Sequence, residues 1–312
     1  RVRQARDFAL STRPDAIVLI DSPDFTHRIA RAIKRADPAI VTINYVAPQV
    51  WASRAYRARA MTKYFDLVLA LLPFEAPFFE KHGLKSVFVG HPVIERAARM
   101  KGGAALRTHL GIAAQAPVLA LLPGSRTNEI RFIMPVFRDA VRLISKQVPG
   151  LVTLLPTVPH VAARVHAATE DWPTPLHIIE TEDEKFAAFD AANVALAASG
   201  TVTTELALSR TPFVAAYRMG AVTYALGRWL FKLPYFTLVN LLLERGAVPE
   251  FLQSQATAEN LAQAVTVLFK DLNLAARQVA DLEEAAHRLG QGDEAPSIRA
   301  ARAILDFVGG KR

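Results

Sequence analysis

The sequence predicts an α/β protein built on open parallel sheets, and three observations carry that prediction. Short apolar runs alternate with segments of helical period along the chain. Most of those runs are continuous rather than alternating, the pattern of strands buried on both faces. At 312 residues, 51% apolar and 21% charged, the chain is also long enough for two cores.

The candidate strands, in order, are Ala16–Ile20, Ile40–Tyr45, Leu67–Ala70, Ser86–Val89, Val118–Leu122, Val152–Leu155, His177–Ile179, Val194–Ala197 and Phe213–Ala216. Helical patterns such as Phe25–Arg35, Ile130–Gln147 and Glu184–Ala191 fall between them, so the repeating unit is βαβ. The rhythm pauses over Glu95–Gln115, a stretch rich in Arg, Lys, Gly and Ala. That pause divides the chain into a first Rossmann-like domain (1–94), a linker (95–115), a second such domain (116–290) and a helical tail (291–312). The chain opens at Arg1, part-way into a helical pattern that runs to Ser11-Thr12-Arg13-Pro14, and an N-terminal piece is expected to precede it, leaving the first domain incomplete.

The absence of cysteine excludes disulfides and thiolate metal sites, and the eight histidines contain no HExxH pair; no metal site or cofactor is expected. A formal charge of +8 favours an anionic partner. Arg28, Arg31, Lys34 and Arg35, and again Arg54, Arg57, Arg59 and Lys63, recur at helical spacing, equally the pattern of a solvated face. No zinc-finger, helix-turn-helix or aromatic-interleaved basic motif accompanies them, so nucleic acid is not the expected partner. The most apolar window, Ala221–Leu243, is interrupted by Arg228, Lys232 and Pro234. A charge at a bilayer centre costs roughly 2.5–3.5 kcal/mol, so this window is expected to lie on a membrane or in a homodimer interface rather than to span.

Ligands of open α/β sheets bind at the carboxyl ends of strands, which directs attention to three loops. In Leu121–Arg126, LLPGSR, a strand ends, Gly124 permits a tight turn and Ser125 is placed to cap the following helix. Such a helix start receives phosphate, and Arg126 adds a fork suited to phosphate oxygens. The alternative is a capped helix whose arginine pairs with Glu129. In Ala198–Glu205, ASGTVTTE, Ser199, Gly200 and Thr201 form a second small hydroxyl loop. Glu205 follows one turn later, where a carboxylate accepts from ribose hydroxyls; the alternative is an acid favourably placed near a helix start. Neither loop matches GxxxxGK[ST] or GxGxxG. Two phosphate-receptive loops in one domain suit a nucleoside diphosphate. In Ile20–Thr26, IDSPDFT, two carboxylates sit at a strand end. Asp24 is a candidate general base, or else a helix cap, with Asp21 a loop acid.

These loops belong to an ordered series: IDSPDF (20–25), NYVAPQVWA (44–52), LPFE (72–75), VGHP (89–92), LLPGSR (121–126), ASGTVTTE (198–205), AYRM (216–219), NLLL (240–243) and VPEFLQ (248–253). In that order, and over nearly the whole chain, the series resembles the lipid-A-disaccharide synthase family. The resemblance implies a glycosyltransferase-B fold, two Rossmann-like domains facing a cleft, with UDP held mainly by the second. It implies UDP-2,3-diacylglucosamine as donor, 2,3-diacylglucosamine 1-phosphate (lipid X) as acceptor, inverting chemistry without a metal, and work at the cytoplasmic face of the inner membrane. It further implies Asp24 as base, Arg126 as the phosphate arginine, Gly124, Ser125, Ser199, Gly200 and Thr201 at the diphosphate, and Glu205 and Asn240 in the nucleotide region. The family's opening GExSGD-type motif would lie before Arg1. Ser53 replaces a usual second tryptophan after Trp51, and Val239 replaces a usual proline before Asn240. Competing readings are a UDP-N-acetylglucosamine 2-epimerase or murein-type transferase of the same fold, a fragment that binds UDP without turnover, and a non-catalytic binder of anionic surfaces.

Overall fold

The structure is a computed structural model that describes residues 1–49, 56–198, 200–220 and 234–310. Trp51, Ser53, Arg54, Ser199 and the 221–233 part of the apolar window lie outside the described residues. The described chain divides into two compact units, the first from Arg1–Glu95 with the segment from Arg288 onward, the second from Arg96 to His287.

In the first unit, helix α1 (Val2–Thr12) leads into β1 (Ala16–Ile20), α2 (Pro23–Ala36), β2 (Val41–Tyr45), α3 (Tyr56–Met61), β3 (Leu67–Ala70), α4 (Glu75–Lys81) and β4 (Ser86–Phe88). The four strands are parallel in the order β1-β2-β3-β4, each βα unit adding its strand beside the last. Ala30, Ile33, Ala58, Met61, Val68 and Phe79 fill the core on one face, against which Val2, Ala5 and Leu10 of α1 pack. Ile43, Leu67 and Leu69 face the other way and meet Ala300, Ala303, Ile304 and Phe307 of the C-terminal helix Pro296–Gly309. Both faces of a parallel sheet need cover, and here the last helix of the chain supplies half of it.

The second unit carries α5 (Gly103–His109), β5 (Val118–Leu122), α6 (Thr127–Ser145), β6 (Val152–Pro156), α7 (Pro159–Ala168), β7 (Leu176–Ile179), α8 (Glu182–Ala191), β8 (Val194–Ala198), α9 (Val202–Leu208), β9 (Phe213–Tyr217), α10 (Leu238–Leu243), β10 (Glu250–Leu252), α11 (Ala258–Lys270) and α12 (Leu272–Arg288). Its six strands are parallel in the order β10-β9-β8-β5-β6-β7. The chain starts at β5, winds outward through β6 and β7, then returns to the far side of β5 and winds the other way. The reversal falls between β5 and β8. One face is covered by α6, α7 and α11 through Ile133, Phe137, Ile144, Val161, Leu261 and Val265, and the other by α5 and α8 through Leu106, Ala188 and Ala191.

No helix among the described residues is long and apolar enough to cross a membrane.

Candidate active site

The reversal between β5 and β8 is the switch point beyond whose carboxyl ends ligands of an open α/β sheet usually bind. Leu122 of β5 is level with Ala197 of β8, Ala197 with Ala215 of β9, and Ala215 with Glu250 of β10. The loops that follow these residues therefore leave the sheet from one edge. They are the LLPGSR and ASGTVTTE loops, the AYRM segment and the end of VPEFLQ. Strand spacing of about 4.8 Å puts the ends of β5 and β9 about 10 Å apart across β8.

Gly124 turns the β5 loop at φ +100°, and a Cβ there would collide with the Glu129 carboxylate. Helix α6 begins at Thr127 with Arg126, not Ser125, in the cap position. The expected Ser125 cap is replaced by Glu129, whose Oε2 accepts from the backbone N–H of Ser125 at 3.0 Å and of Arg126 at 3.1 Å. The carboxylate reaches back from the third helical position, as in a capping box, and so satisfies two amides that a serine hydroxyl would have served singly. Its Oε1 takes the Arg126 Nη1 at 2.6 Å. Glu129 is buried, whereas the Arg126 side chain is 78% exposed, so the guanidinium lies anchored at one side and open on the other. The carboxylate beside it pushes the Arg126 pKa up.

Sequence reasoning missed His160, at the start of α7, whose Nε2 lies 2.6 Å from the Ser125 carbonyl oxygen. A carbonyl only accepts, so Nε2 carries the proton. Tyr217, at the end of β9, was missed as well. Burial raises its pKa first, the Glu129 charge adds to that, and Arg126 opposes it; the β9 end thus shares the electrostatics of the β5 loop. The AYRM motif marked this segment without indicating its neighbours.

At the β8 loop, Gly200 adopts φ +152° and Thr201 occupies the cap position of α9, its side chain making no capping bond. Glu205 is buried and already paired, with Lys185 Nζ at 2.8 Å and Arg96 Nη1 at 3.3 Å. Two cations thus share this one carboxylate.

Asn240 lies in the interior, 1% exposed. Its Nδ2 donates to the Val248 carbonyl and to Glu250 Oε1, each at 2.8 Å, and its Oδ1 accepts from Val248 N–H at 2.9 Å. Glu250 also accepts from Phe236 N–H, Thr237 N–H and the Thr237 hydroxyl. The structure thus makes Asn240 a brace between α10 and β10.

In the first unit, β1 is followed by Asp21 and Ser22 at φ +51° and +47°, and β2 by Val46 at φ +70°. Three non-glycine residues in the left-handed region, one of them β-branched, at the ends of paired neighbouring strands form a strained cluster of the kind found at functional sites. Thr26 holds the turn by donating its hydroxyl to the Asp21 carbonyl at 2.7 Å. Ser22 is the cap residue of α2 and Pro23 starts it, so Asp24 lies inside the first turn rather than capping it. Asp24 is exposed and takes no hydrogen bond or ion pair among the described residues. One turn on, His27 is held between Tyr64 and Phe65, and its pKa is pushed down to about 4, by burial first and then by Arg31 and Arg57. Its imidazole is neutral at physiological pH.

The family model described as "LpxB: Lipid-A-disaccharide synthetase" matches residues 3–303. The chain belongs to the lipid-A-disaccharide synthase family. Its relatives include the lipid-A-disaccharide synthase of Rhodospirillum centenum, 44% identical over 308 residues, covering 99% of this chain and 77% of the relative. Another, from Ruegeria pomeroyi, is 43% identical over 319 residues, covering 99% and 78%. Among solved structures, the UDP-GlcNAc 2-epimerase from Neisseria meningitidis bound to UDP-GlcNAc superposes with a TM-score of 0.66 at 14% identity, over 98% of this chain and 80% of that one. At that identity the likeness is one of fold, and it is the glycosyltransferase-B type that the resemblance implied. As a member of the synthase family the chain is a glycosyltransferase of lipid A synthesis.

Proposed function

We propose that the chain transfers 2,3-diacylglucosamine from UDP-2,3-diacylglucosamine to the 6-hydroxyl of 2,3-diacylglucosamine 1-phosphate. The products are the β-1,6-linked tetraacyl disaccharide 1-phosphate and UDP. The observation that carries this reading is the convergence of the LLPGSR and ASGTVTTE loops on the β5–β8 reversal, where Arg126 presents an open guanidinium. The diphosphate of UDP is assigned to Gly124, Ser125 and Arg126 on one side and to Ser199, Gly200 and Thr201 on the other. Glu205, held by Lys185 and Arg96, is assigned to the ribose, and Asn240 to the nucleotide region through the loop it braces.

Asp24 is assigned as the base. It takes the proton of the acceptor 6-hydroxyl as that oxygen bonds to the anomeric carbon from the face opposite UDP. The bond from that carbon to the β-phosphate oxygen breaks, and its electron pair leaves with UDP. Arg126 stabilises the charge gathering on the departing diphosphate. Ile20 and Phe25, flanking Asp21 and Asp24, are 58% and 42% exposed. With the basic face of α2 (Arg28, Arg35) they suit an acylated acceptor at an anionic membrane, the cytoplasmic leaflet of the inner membrane, bound peripherally.

The test is turnover of the diacylated donor against plain UDP-N-acetylglucosamine, with lipid X as acceptor. Strong preference for the diacylated donor is expected. Equal turnover of the two would overturn the assignment.

A further inference from the structure

We propose that Arg218 is a second cation for the nucleotide diphosphate, and that Gln253 is the positioning residue that aims it. The proposal rests on the assignment of UDP to the β5–β8 crevice and adds a ligand to that same site.

Arg218 follows Tyr217, the last residue of β9, on the edge from which the LLPGSR and ASGTVTTE loops leave the sheet. Tyr217 itself senses both Arg126 and Glu129, so the segment carrying Arg218 belongs to the surroundings of the β5 loop. The Arg218 side chain is fixed at its inner end, its Nε donating to the Gln253 carbonyl at 3.2 Å. That leaves both Nη groups, four of the five guanidinium donors, and no carboxylate pairs with them among the described residues.

Gln253 is built for the task. It sits at φ +49° just after β10, a costly conformation for a residue that is not glycine. Its side-chain amide engages Met219 twice, with Oε1 accepting from the backbone N–H at 2.9 Å and Nε2 donating to the carbonyl at 3.1 Å. The peptide groups on either side of Met219 are thus held by one residue, which turns its own carbonyl toward Arg218 Nε. The sequence motifs AYRM and VPEFLQ, far apart in the chain, are two halves of this clamp.

Charge points the same way. Arg126 is paired with Glu129, and Lys185 and Arg96 share Glu205. A diphosphate carries more negative charge than the single excess cation in these groups offsets. Arg218 supplies a further guanidinium, already oriented, in the fork geometry that matches phosphate oxygens.

The experiment measures binding of UDP by calorimetry and of uridine by ligand-observed NMR, in the wild type and in Arg218→Met, Arg218→Lys and Gln253→Leu. For Arg218→Met, Kd for UDP should rise roughly ten- to a hundredfold, the range for loss of a charge-assisted hydrogen bond, while uridine binding holds. Arg218→Lys keeps the charge without the fork and should fall between. Gln253→Leu should also weaken UDP and spare uridine. Wild-type UDP affinity in Arg218→Met, or equal losses for UDP and uridine, overturns the proposal. If Arg218→Met fails to fold, the lysine and leucine variants are read by the same criterion. Should the wild type not prefer UDP to uridine, and Arg126→Ala change nothing, the crevice assignment itself fails and the Arg218 proposal with it.

Discussion

The Arg126 guanidinium and the Glu129 carboxylate, three residues apart at the head of α6, form a 2.6 Å ion pair in which the acid is buried and the base exposed. The same carboxylate holds the N–H groups of Ser125 and Arg126. The helix start therefore carries its own anion, and the arginine presents its free edge outward.

Arg126→Ala should leave the fold stable, because its side chain is largely solvated and Glu129 keeps both backbone N–H donors without it, yet weaken UDP binding. Glu129→Ala should do the reverse in stability. Two helix-end amides lose their acceptor, costing about 1–2 kcal/mol. Thermal melting of both variants, read beside UDP titration, separates the two roles.

Asp24→Asn should lower kcat roughly 10²–10⁴-fold, the range for a general base, with UDP affinity unchanged. Normal turnover in this variant would move the base to another group, Asp21 first.

His27 gives a pH signature. Its folded pKa, about 4, lies below the unfolded value near 6.5, so below about pH 6.5 the unfolded chain binds the proton and the folded one does not. Stability tied to this group is complete above pH 6.5 and is lost as pH falls toward 4. A His27→Phe variant should show a shallower fall in melting temperature over that interval than the wild type. Parallel curves would contradict the neutral, buried imidazole.

Glu250→Ala should destabilise the second unit by about 2 kcal/mol or more. It strips the acceptor from Phe236 N–H, Thr237 N–H, the Thr237 hydroxyl and buried Asn240, and buried donors left unpaired are costly. Denaturant titration gives the number, and Asn240→Ala in the same background should cost less than it does alone, since its bond to Glu250 is already gone while its two to Val248 remain.

Much of the fold is legible along the chain because buried parallel strands announce themselves. Runs such as Val118–Leu122 and Val194–Ala198 are apolar throughout and buried throughout. β10 was not foreseen, for it has three half-buried residues, one of them Glu250, on the sheet edge; no apolar run marks it. The loops at Gly124 and Gly200 were readable from local turn chemistry. Their companions were not. His160, Tyr217, Arg218 and Gln253 join the site through strand order and register, which no single stretch of sequence encodes. Glu129 was visible only as one of two readings, since spacing alone does not say whether an arginine meets its neighbour's carboxylate or a ligand. For Asn240, the NLLL motif drew attention to the right residue but not to its partners, because Val248 and Glu250 lie beyond the turn that returns the chain to the sheet.

The packing of Pro296–Gly309 on Ile43, Leu67 and Leu69 sets an order of events during synthesis. The amino-terminal strands emerge from the ribosome long before the helix that shelters them, with residues 96–287 translated in between. Until then one side of that young sheet is greasy and bare, an invitation to chaperones and to aggregation. A nonsense mutation just before Pro296 would therefore harm the sheet of the first unit, far back along the chain.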